Sequence, residues 1–252
     1  MKVLPSLAIA LALPTLAAAR PVLTVEAPAA RVIVIPEARQ DMALEADARL
    51  AIHPVAGGSA RVTGTSSWLE QHVPWLFGYS CQANGVSRWG QSILLKDLPT
   101  LTVRVPLEAE IVSKGAIHGQ VGEGRALKLY ASGCGTWRLG PLSRGLTVTQ
   151  AGAGQVIASH VDGRLSATVD GAGSVVVGNG VVSSATLVMN GSGRIDDRGT
   201  AGILNAKMNG SGKITVRLLA GQANVSYDGD GDVKWGRPPG KKFCSGLSCY
   251  RE

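Results

Sequence analysis

A pair of glycines separated by one residue recurs six times in the second half of this 252-residue chain. The pairs are Gly133/Gly135, Gly152/Gly154, Gly171/Gly173, Gly191/Gly193, Gly210/Gly212 and Gly229/Gly231. The period is about 19 residues throughout, and only the step from Gly171 to Gly191 is one residue longer than the others. A fixed period of this length is typical of repeat proteins, in which similar units stack on one another. The total of 33 glycines also disfavours a helical bundle, because glycine weakens helices.

Apolar residues stand at fixed places around each glycine pair. Six, four and two residues before the first glycine, every repeat carries apolar side chains, with Gln150 as the exception. The intervening residues are mostly polar, for example Thr147, Ser166 and Asn205. Four residues after the first glycine the chain is apolar again, at Trp137, Val156, Val175, Ile195, Ile214 and Val233. This period of two predicts a half-buried strand on each side of a tight corner.

A unit of this length is too small to bury its own apolar face, so the units must stack with equivalent strands in parallel. The predicted fold is all-β: a right-handed parallel β-helix, or β-solenoid, of about six to seven rungs, each of about 19 to 20 residues. The right hand follows the general preference of parallel crossovers. The glycines at both positions of every corner are explained by positive φ angles and by crowding between stacked backbones.

Polar residues precede four of the glycine corners. They are Asp170, Asn190, Asn209 and Asp228. Stacking would bring them into one column, and side chains of this kind bond readily to one another and to turn backbone. We interpret the column as structural.

The repeat domain is predicted to span residues 101–235, after amino-terminal strands and an aromatic cap in 20–100. Leu101–Val105 and Lys114–Ile117 look like one degenerate first rung, and 32–35 and 61–63 look like additional strands. Residues 66–92 hold five of the eleven aromatic residues, and we expect them to form an amino-terminal β cap over the open end of the solenoid. Residues 236–252 form a short cysteine-containing tail.

Residues 1–19 have the layout of a cleaved signal peptide: Lys2, an apolar run to Leu16, and small residues before Arg20. The run is too short to span a membrane, and no later stretch is apolar enough. The predicted location is periplasmic or extracellular. Without Lys2 the mature chain has 24 basic and 18 acidic residues, a net charge of +6. This charge favours an acidic envelope polymer as partner, whereas export and scattered basic residues argue against nucleic acid.

Four cysteines in an exported chain favour two disulfides over free thiols or a metal site. They are Cys81, Cys134, Cys244 and Cys249, which allow three pairings. We prefer Cys244 with Cys249, which are five residues apart, and therefore Cys81 with Cys134.

The residues also carry a resemblance to a known family. The chain is exported, has an initial Leu-Thr-Val-Arg-Val-Pro strand at residues 101–106, and has corners such as Met-Asn-Gly-Ser-Gly and Asp-Gly-Asp-Gly-Asp-Val at the period of the repeat. It resembles the auto-transporter adhesin head GIN domain family of bacterial envelope proteins. The resemblance covers residues 101–235 well and 22–65 more loosely, and implies a right-handed parallel β-helix with a role in adhesion. It supplies no catalytic residues.

The sequence predicts no catalytic, cofactor-binding or metal-binding residues. None of the glycine pairs continues as a nucleotide-binding loop, and Ser192 and Ser211 lack the spacing of a nucleophile elbow. The histidines occur singly and are expected at the surface or at strand ends: His53, His72, His118 and His160. Asp228, Asp230 and Asp232 resemble the start of a calcium loop, but the glycine and the glutamate that complete such a loop are missing.

Three hypotheses for function remain. The first is a non-catalytic envelope protein whose flat face binds a surface polysaccharide or protein partner, with Trp75, Trp89, Arg194 and Arg217 as the residues to test. The second is a structural or assembly scaffold that joins other subunits. The third is a polysaccharide lyase-like enzyme, for which Asp196 and Asp197 with Arg194 and Arg198 are the only dense charged group. We interpret that group as a charged outer strand with an internal salt bridge.

Overall fold

The computed structural model describes residues 20–64, 79–82, 84–88, 90–237, 243–245 and 248–250, and these residues form β-strands joined by short turns. The first strands are β1 (Val22–Glu37), β2 (Ala43–Ala46), β3 (Leu50–Val55), β4 (Ser59–Gly64), β5 (Tyr79–Gln82), β6 (Gly85–Arg88), β7 (Gln91–Leu94), β8 (Thr100–Pro106), β9 (Glu108–Val121), β10 (Gly124–Cys134) and β11 (Thr136–Leu139). The others are β12 (Leu142–Gly152), β13 (Gln155–Ala158), β14 (Gly163–Asp170), β15 (Ser174–Val177), β16 (Val181–Met189), β17 (Arg194–Met208), β18 (Lys213–Leu219), β19 (Ala223–Tyr227), β20 (Asp232–Trp235), β21 (Phe243–Ser245) and β22 (Ser248–Tyr250). Ala56–Gly58 and Leu95–Asp97 are single 3₁₀ turns. The predicted signal peptide at residues 1–19 lies outside the described residues.

The strands stack in parallel, each on the equivalent strand of the next repeat. β10, β12, β14 and β16 pair in this order, and so do β11, β13 and β15. The result is a β-solenoid of about seven turns. The predicted all-β solenoid is confirmed, while its right-handed coil stays a prediction.

Each turn contributes two strands, and these stack into two faces of the solenoid. The first face contains the strand before each glycine pair, with Leu146, Leu165 and Ala185 stacked inward. The second face contains the strand after the pair. Its inward residues stack in the column Trp137, Val156, Val175, Ile195, Ile214 and Val233, and all of them are buried. The alternation in the sequence therefore encodes a single continuous core.

Positive φ angles are rarer at the glycine corners than the sequence suggests. Of the twelve corner glycines, only four have a φ in the left-handed region: Gly133, Gly135, Gly152 and Gly171. The expectation of a positive φ at every corner position is therefore wrong for the other eight, which are Gly154, Gly173, Gly191, Gly193, Gly210, Gly212, Gly229 and Gly231. These eight need another physical reason for glycine.

Crowding between neighbouring rungs supplies that reason. A Cβ built on the second glycine of any corner would press against a backbone carbonyl oxygen of the preceding rung. The distances to that oxygen are 2.1 Å at Gly135, 3.1 Å at Gly154, 2.6 Å at Gly173, 2.1 Å at Gly193, 2.6 Å at Gly212 and 2.7 Å at Gly231. At Gly231 the Cβ would also lie 2.3 Å from the sulfur of Met208. Gly119 likewise leaves room for the buried ring of Trp137.

The first rungs are not in chain order. β1 pairs on one side with β4 and β8, and on the other side with β9. The amino-terminal strand is therefore an internal rung. The expectation that Leu101–Val105 and Lys114–Ile117 share one rung is wrong, because β1 lies between β8 and β9. The strands expected at 32–35 and 61–63 belong to the solenoid itself.

Antiparallel strands flank the stack. β2 pairs with β8 and β3 pairs with β4, so both strands adjoin the outermost amino-terminal rung. At the other end β21 pairs with β20 and with β22. Among the described residues, no helix is long and apolar enough to cross a membrane.

A separate antiparallel sheet of β5, β6 and β7 packs on the side of the solenoid. Val86 of this sheet and Leu98 form a small apolar cluster with Ala29 of β1 and Ala116 of β9. The described part of the aromatic stretch therefore packs against β1 and β9, and the cap over the open end stays a prediction. Residues 66–78 lie outside the described residues.

Candidate functional site

The outward residues of the second face form two columns, and one of these contains no acidic residue from Arg31 to Lys213. We call this the outer column; from the amino-terminal side it contains Arg31, His118, Thr136, Gln155, Ser174, Arg194 and Lys213. Thr136 lies beside His118 because the next residues, Trp137 and Gly119, are paired. The seven residues occupy successive strands about 4.8 Å apart, so the column is roughly 29 Å long. Asp232 follows it at the carboxy-terminal end.

At the amino-terminal end of the outer column, the small sheet and the solenoid enclose a cleft of about 410 Å³. We call it the basic cleft. The solenoid contributes Arg31 from β1, His118 and Gln120 from β9, and Thr136 and Arg138 from β11. The other side contributes Asn84, Leu95 and Lys96. Among the described residues of its lining, three are cationic and none is a carboxylate.

His118 fixes one wall of the basic cleft. Its side chain is only 6% exposed, and its Nε2 lies 2.9 Å from the carbonyl oxygen of Gly85 in the small sheet. A carbonyl can only accept, so Nε2 carries the proton and donates. Burial lowers the pKa of His118, the bond to Gly85 opposes this, and the nearby Arg138 guanidinium lowers the pKa further. The expectation of a surface histidine is wrong here, because the small sheet covers an outward position.

Most of the other described cations on the amino-terminal rungs form salt bridges, unlike those of the cleft. Arg61 and Lys114 share Glu26, and Lys128 pairs with Glu110 at 2.7 Å. Within the described part of the chain, no carboxylate pairs with Arg31, Lys96 or Arg138. Their charge is available to an anionic ligand, which would gain hydrogen bonds strengthened by full charges.

A second, shallower groove follows the outer column farther along. It has a volume of about 290 Å³ and runs over three stacked glycine corners. Arg194 and Lys213 line it together with the hydroxyls of Ser174, Ser192 and Ser211. The groove is lined in part by corner glycines, which place no side chain between the serine hydroxyls.

A disulfide ties the small sheet to the solenoid. Cys81 of β5 and Cys134 of β10 are bonded, with their Cα atoms 5.7 Å apart, which is the pairing preferred from the sequence. Cys244 and Cys249 lie directly opposite each other in the β21–β22 hairpin, but their side chains lie outside the described part of the structure. The bond between Cys244 and Cys249 stays a prediction.

Two aspartates of the charged group considered for a lyase lie on opposite sides of β17. Asp196 faces outward and pairs with Arg198 at 3.0 Å, as the sequence suggested. Asp197 faces inward, is 1% exposed, and stacks between Val177 and Val216. Its assignment to a charged outer strand is therefore wrong. The two carboxylates cannot face one substrate together.

The predicted polar column is linked by side-chain hydrogen bonds at three of its four positions. The amide of Asn190 donates to Asp170, and that of Asn209 donates to Asn190 at 2.6 Å. A second pair, not anticipated, joins Asn224 to Asn205 at 2.9 Å.

The remaining residues singled out from the sequence are dispersed. Among the histidines, His53 is exposed beside Thr63, and His160 contacts Asp162 at 2.8 Å and also Asn179. Asp232 pairs with Lys234 at 2.7 Å.

Of the four residues named for testing a binding face, Arg194 and Arg217 lie within the described residues. Arg217 is exposed on β18, whereas Arg194 lies in the groove. His72, Trp75 and Trp89 lie outside the described residues.

Sequence reasoning missed the residues of the basic cleft. Arg138 stands five residues after Gly133, a position that the period marks as outward, so its exposure could have been predicted. Arg31 and Lys96 could not have been placed beside it, because neither belongs to the glycine-marked repeats. Only the insertion of β1 and the packing of the small sheet bring the three cations together.

No protein-family model and no curated protein matches this chain. A solved structure from Parabacteroides distasonis ATCC 8503, named as a candidate lipid-binding protein, is similar at 17% identity with a TM-score of 0.50. The match covers 85% of this chain and 92% of that one. A candidate cell adhesion protein from Clostridium sporogenes ATCC 15579 matches at 11% identity over 88% and 94% of the two chains, with a TM-score of 0.29. The first likeness supports the fold alone, and the second is too low to carry an argument.

Proposed function

We propose that this chain is an exported, non-catalytic binding protein of the bacterial cell envelope whose second face holds an extended acidic polymer, such as an envelope polysaccharide. The outer column carries the proposal, because it aligns cations at both ends with neutral polar groups between them. The mature net charge of +6 would add long-range attraction for a polyanion.

Two further observations support this role. The disulfide is typical of proteins outside the reducing cytosol. The solenoid agrees with the fold implied by the GIN domain family, and we include membership of that family in the proposal.

The test uses purified residues 20–252 with immobilised polygalacturonate and, as a neutral polymer, dextran. We expect retention on polygalacturonate that weakens with added salt, and no release of sugar ends. The variant Arg194→Glu/Lys213→Glu should lose most of the retention, because both changes fall in the groove. The matched control is Arg164→Glu/Lys207→Glu, which makes the same change in net charge on the first face.

Equal losses in both variants would mean that net charge alone attracts the polymer, and would contradict a site on the second face. Released sugar ends would restore the lyase-like hypothesis.

The scaffold hypothesis keeps one structural argument. β19 pairs with β17, and no described strand covers its other edge. A free strand edge can pair with another chain. Oligomers that form with rising concentration and are abolished by Val225→Pro would favour a scaffold, whereas a monomer at all concentrations would contradict it.

A further inference from the structure

We propose that the basic cleft is a discrete site for one sugar-sized group that carries an oxyanion, either a carboxylate or a phosphate. This inference rests on the proposed function and narrows it. The outer column would hold the length of a polymer, and the cleft would hold a single acidic unit or end group.

The charge of the cleft defines the ligand as an anion. Arg31, Lys96 and Arg138 converge on one space from three different parts of the chain, and none has a carboxylate partner among the described residues. Two guanidiniums can each donate two parallel hydrogen bonds to a carboxylate or a phosphate, and a lysine adds a point charge. Like charges gathered without a counterion repel one another, so a bound oxyanion would relieve their repulsion.

The neutral lining and the volume define the rest of the ligand. Asn84, Gln120 and Thr136 offer both donors and acceptors, as hydroxyl groups of a sugar require. Leu95 supplies an apolar contact. A volume of about 410 Å³ lies at the small end of the range for ligand pockets.

The two walls of the cleft are held in place before any ligand binds. The disulfide between Cys81 and Cys134 and the bond from His118 to Gly85 both connect the small sheet to the solenoid. The apolar cluster around Val86 lies between the same two walls. A site that is already formed loses less conformational freedom on binding, which favours affinity for a small ligand.

The experiment measures binding of three monosaccharides to residues 20–252 by titration calorimetry: galacturonate, galactose 6-phosphate and neutral galactose. We expect at least one of the two acidic sugars to bind and galactose not to bind at concentrations up to about 10 mM. Binding of galacturonate alone assigns the site to carboxylates, and binding of the phosphate alone assigns it to phosphoryl groups. No binding of either, or equal binding of galactose, would overturn the inference.

Variants locate the site. Arg31→Gln/Arg138→Gln should lower the affinity for the acidic sugar about tenfold or more, because two charged hydrogen-bond donors are lost. The matched control Arg164→Gln/Arg217→Gln removes the same charge elsewhere and should change it less than about twofold. Circular dichroism checks that both remain folded. Equal effects would place the site outside the cleft.

Failure of this inference and failure of the proposed function give different results. Retention on polygalacturonate without monosaccharide binding leaves the proposed function standing and overturns the discrete site. Monosaccharide binding without retention supports the site and contradicts the polymer-binding face.

Discussion

At the residue scale, Asp197 places a carboxyl group in the apolar core. It occupies an inward position between two valines, where its Oδ1 accepts from the amide of Gly199 at 3.0 Å and its Oδ2 has no partner. Burial raises the pKa of this carboxyl, and the neighbouring Asp196 raises it further, against the effect of the Gly199 bond. The folded chain therefore binds a proton at Asp197 more tightly than the unfolded chain does.

The expected consequence is a loss of stability as the pH rises. The raised pKa of Asp197 stabilises the folded chain in full when the pH is below 3.8, the pKa of the unfolded chain. This stabilisation is lost as the pH rises from there through the pKa of the folded chain. Asp197→Asn keeps the acceptor for Gly199 and cannot ionise, so it should be more stable than wild type at pH 7 by about 1 kcal/mol. Denaturant unfolding measured between pH 3 and pH 8 checks this prediction.

The control for this prediction is Asp196→Asn on the outward side of the same strand. It should shift the unfolding free energy by less than about 0.5 kcal/mol, since its ion pair with Arg198 is at the surface. Parallel stability curves for wild type and Asp197→Asn would show that Asp197 is not the titrating group.

At the element scale, the small sheet of β5, β6 and β7 depends on its attachment. Small sheets are marginal on their own, and among the described residues the apolar cluster beneath this one has four buried members. The disulfide links residues 53 positions apart, and in the chain-entropy description such a bond disfavours unfolding of the segment between them by about 4 kcal/mol.

Removing this bond should open the sheet before it affects the solenoid. In Cys81→Ser/Cys134→Ser we expect amides of β5 to β7 to exchange about tenfold faster or more, because fewer contacts hold them closed. Amides of β14 and β16 should exchange as in wild type at 25 °C. Hydrogen exchange with mass spectrometry measures both regions in one experiment.

The matched control is Cys244→Ser/Cys249→Ser, which removes the other two cysteines and should leave β5 to β7 unchanged. Uniform acceleration over the whole chain in the Cys81/Cys134 variant would mean that the disulfide stabilises the fold globally and does not act as a local tether.

At the scale of the whole molecule, the solenoid is not a simple succession of rungs. In a linear repeat array, removing a terminal unit costs the contacts of that unit alone. Here the amino-terminal strand β1 pairs with β9 on one side over residues 22–34, and on the other side with β4 over 23–26 and with β8 over 31–37. Its removal would leave two strand edges unpaired inside the stack.

Deleting residues 20–37 should therefore destabilise the entire amino-terminal half. We expect a lower melting temperature and rapid proteolysis of 43–121, whereas deleting residues 238–252 should affect only the last rungs. Thermal melts with limited proteolysis compare the two truncations. If deletion of 20–37 costs no more than deletion of the tail, β8 and β9 can pair directly and the inserted rung is dispensable.

The sequence alone predicts the repeat, the strands and their inward faces, because a parallel solenoid has the same local pattern in every turn. It even contained the signal for Asp197, which stands six residues after Gly191, where the other repeats have Leu139, Ala158, Val177, Val216 and Trp235. The alternation marks that position as inward whatever residue occupies it.

The positions of β1 and the small sheet, by contrast, are set by tertiary contacts. Both placements depend on contacts between segments far apart in the chain, and local periodicity does not report such contacts. His118 shows the difference: its place in the repeat is outward, like that of Thr136, yet the small sheet buries it. The basic cleft arises from the same packing, since Arg31, Lys96 and Arg138 belong to segments that only the folded chain brings together.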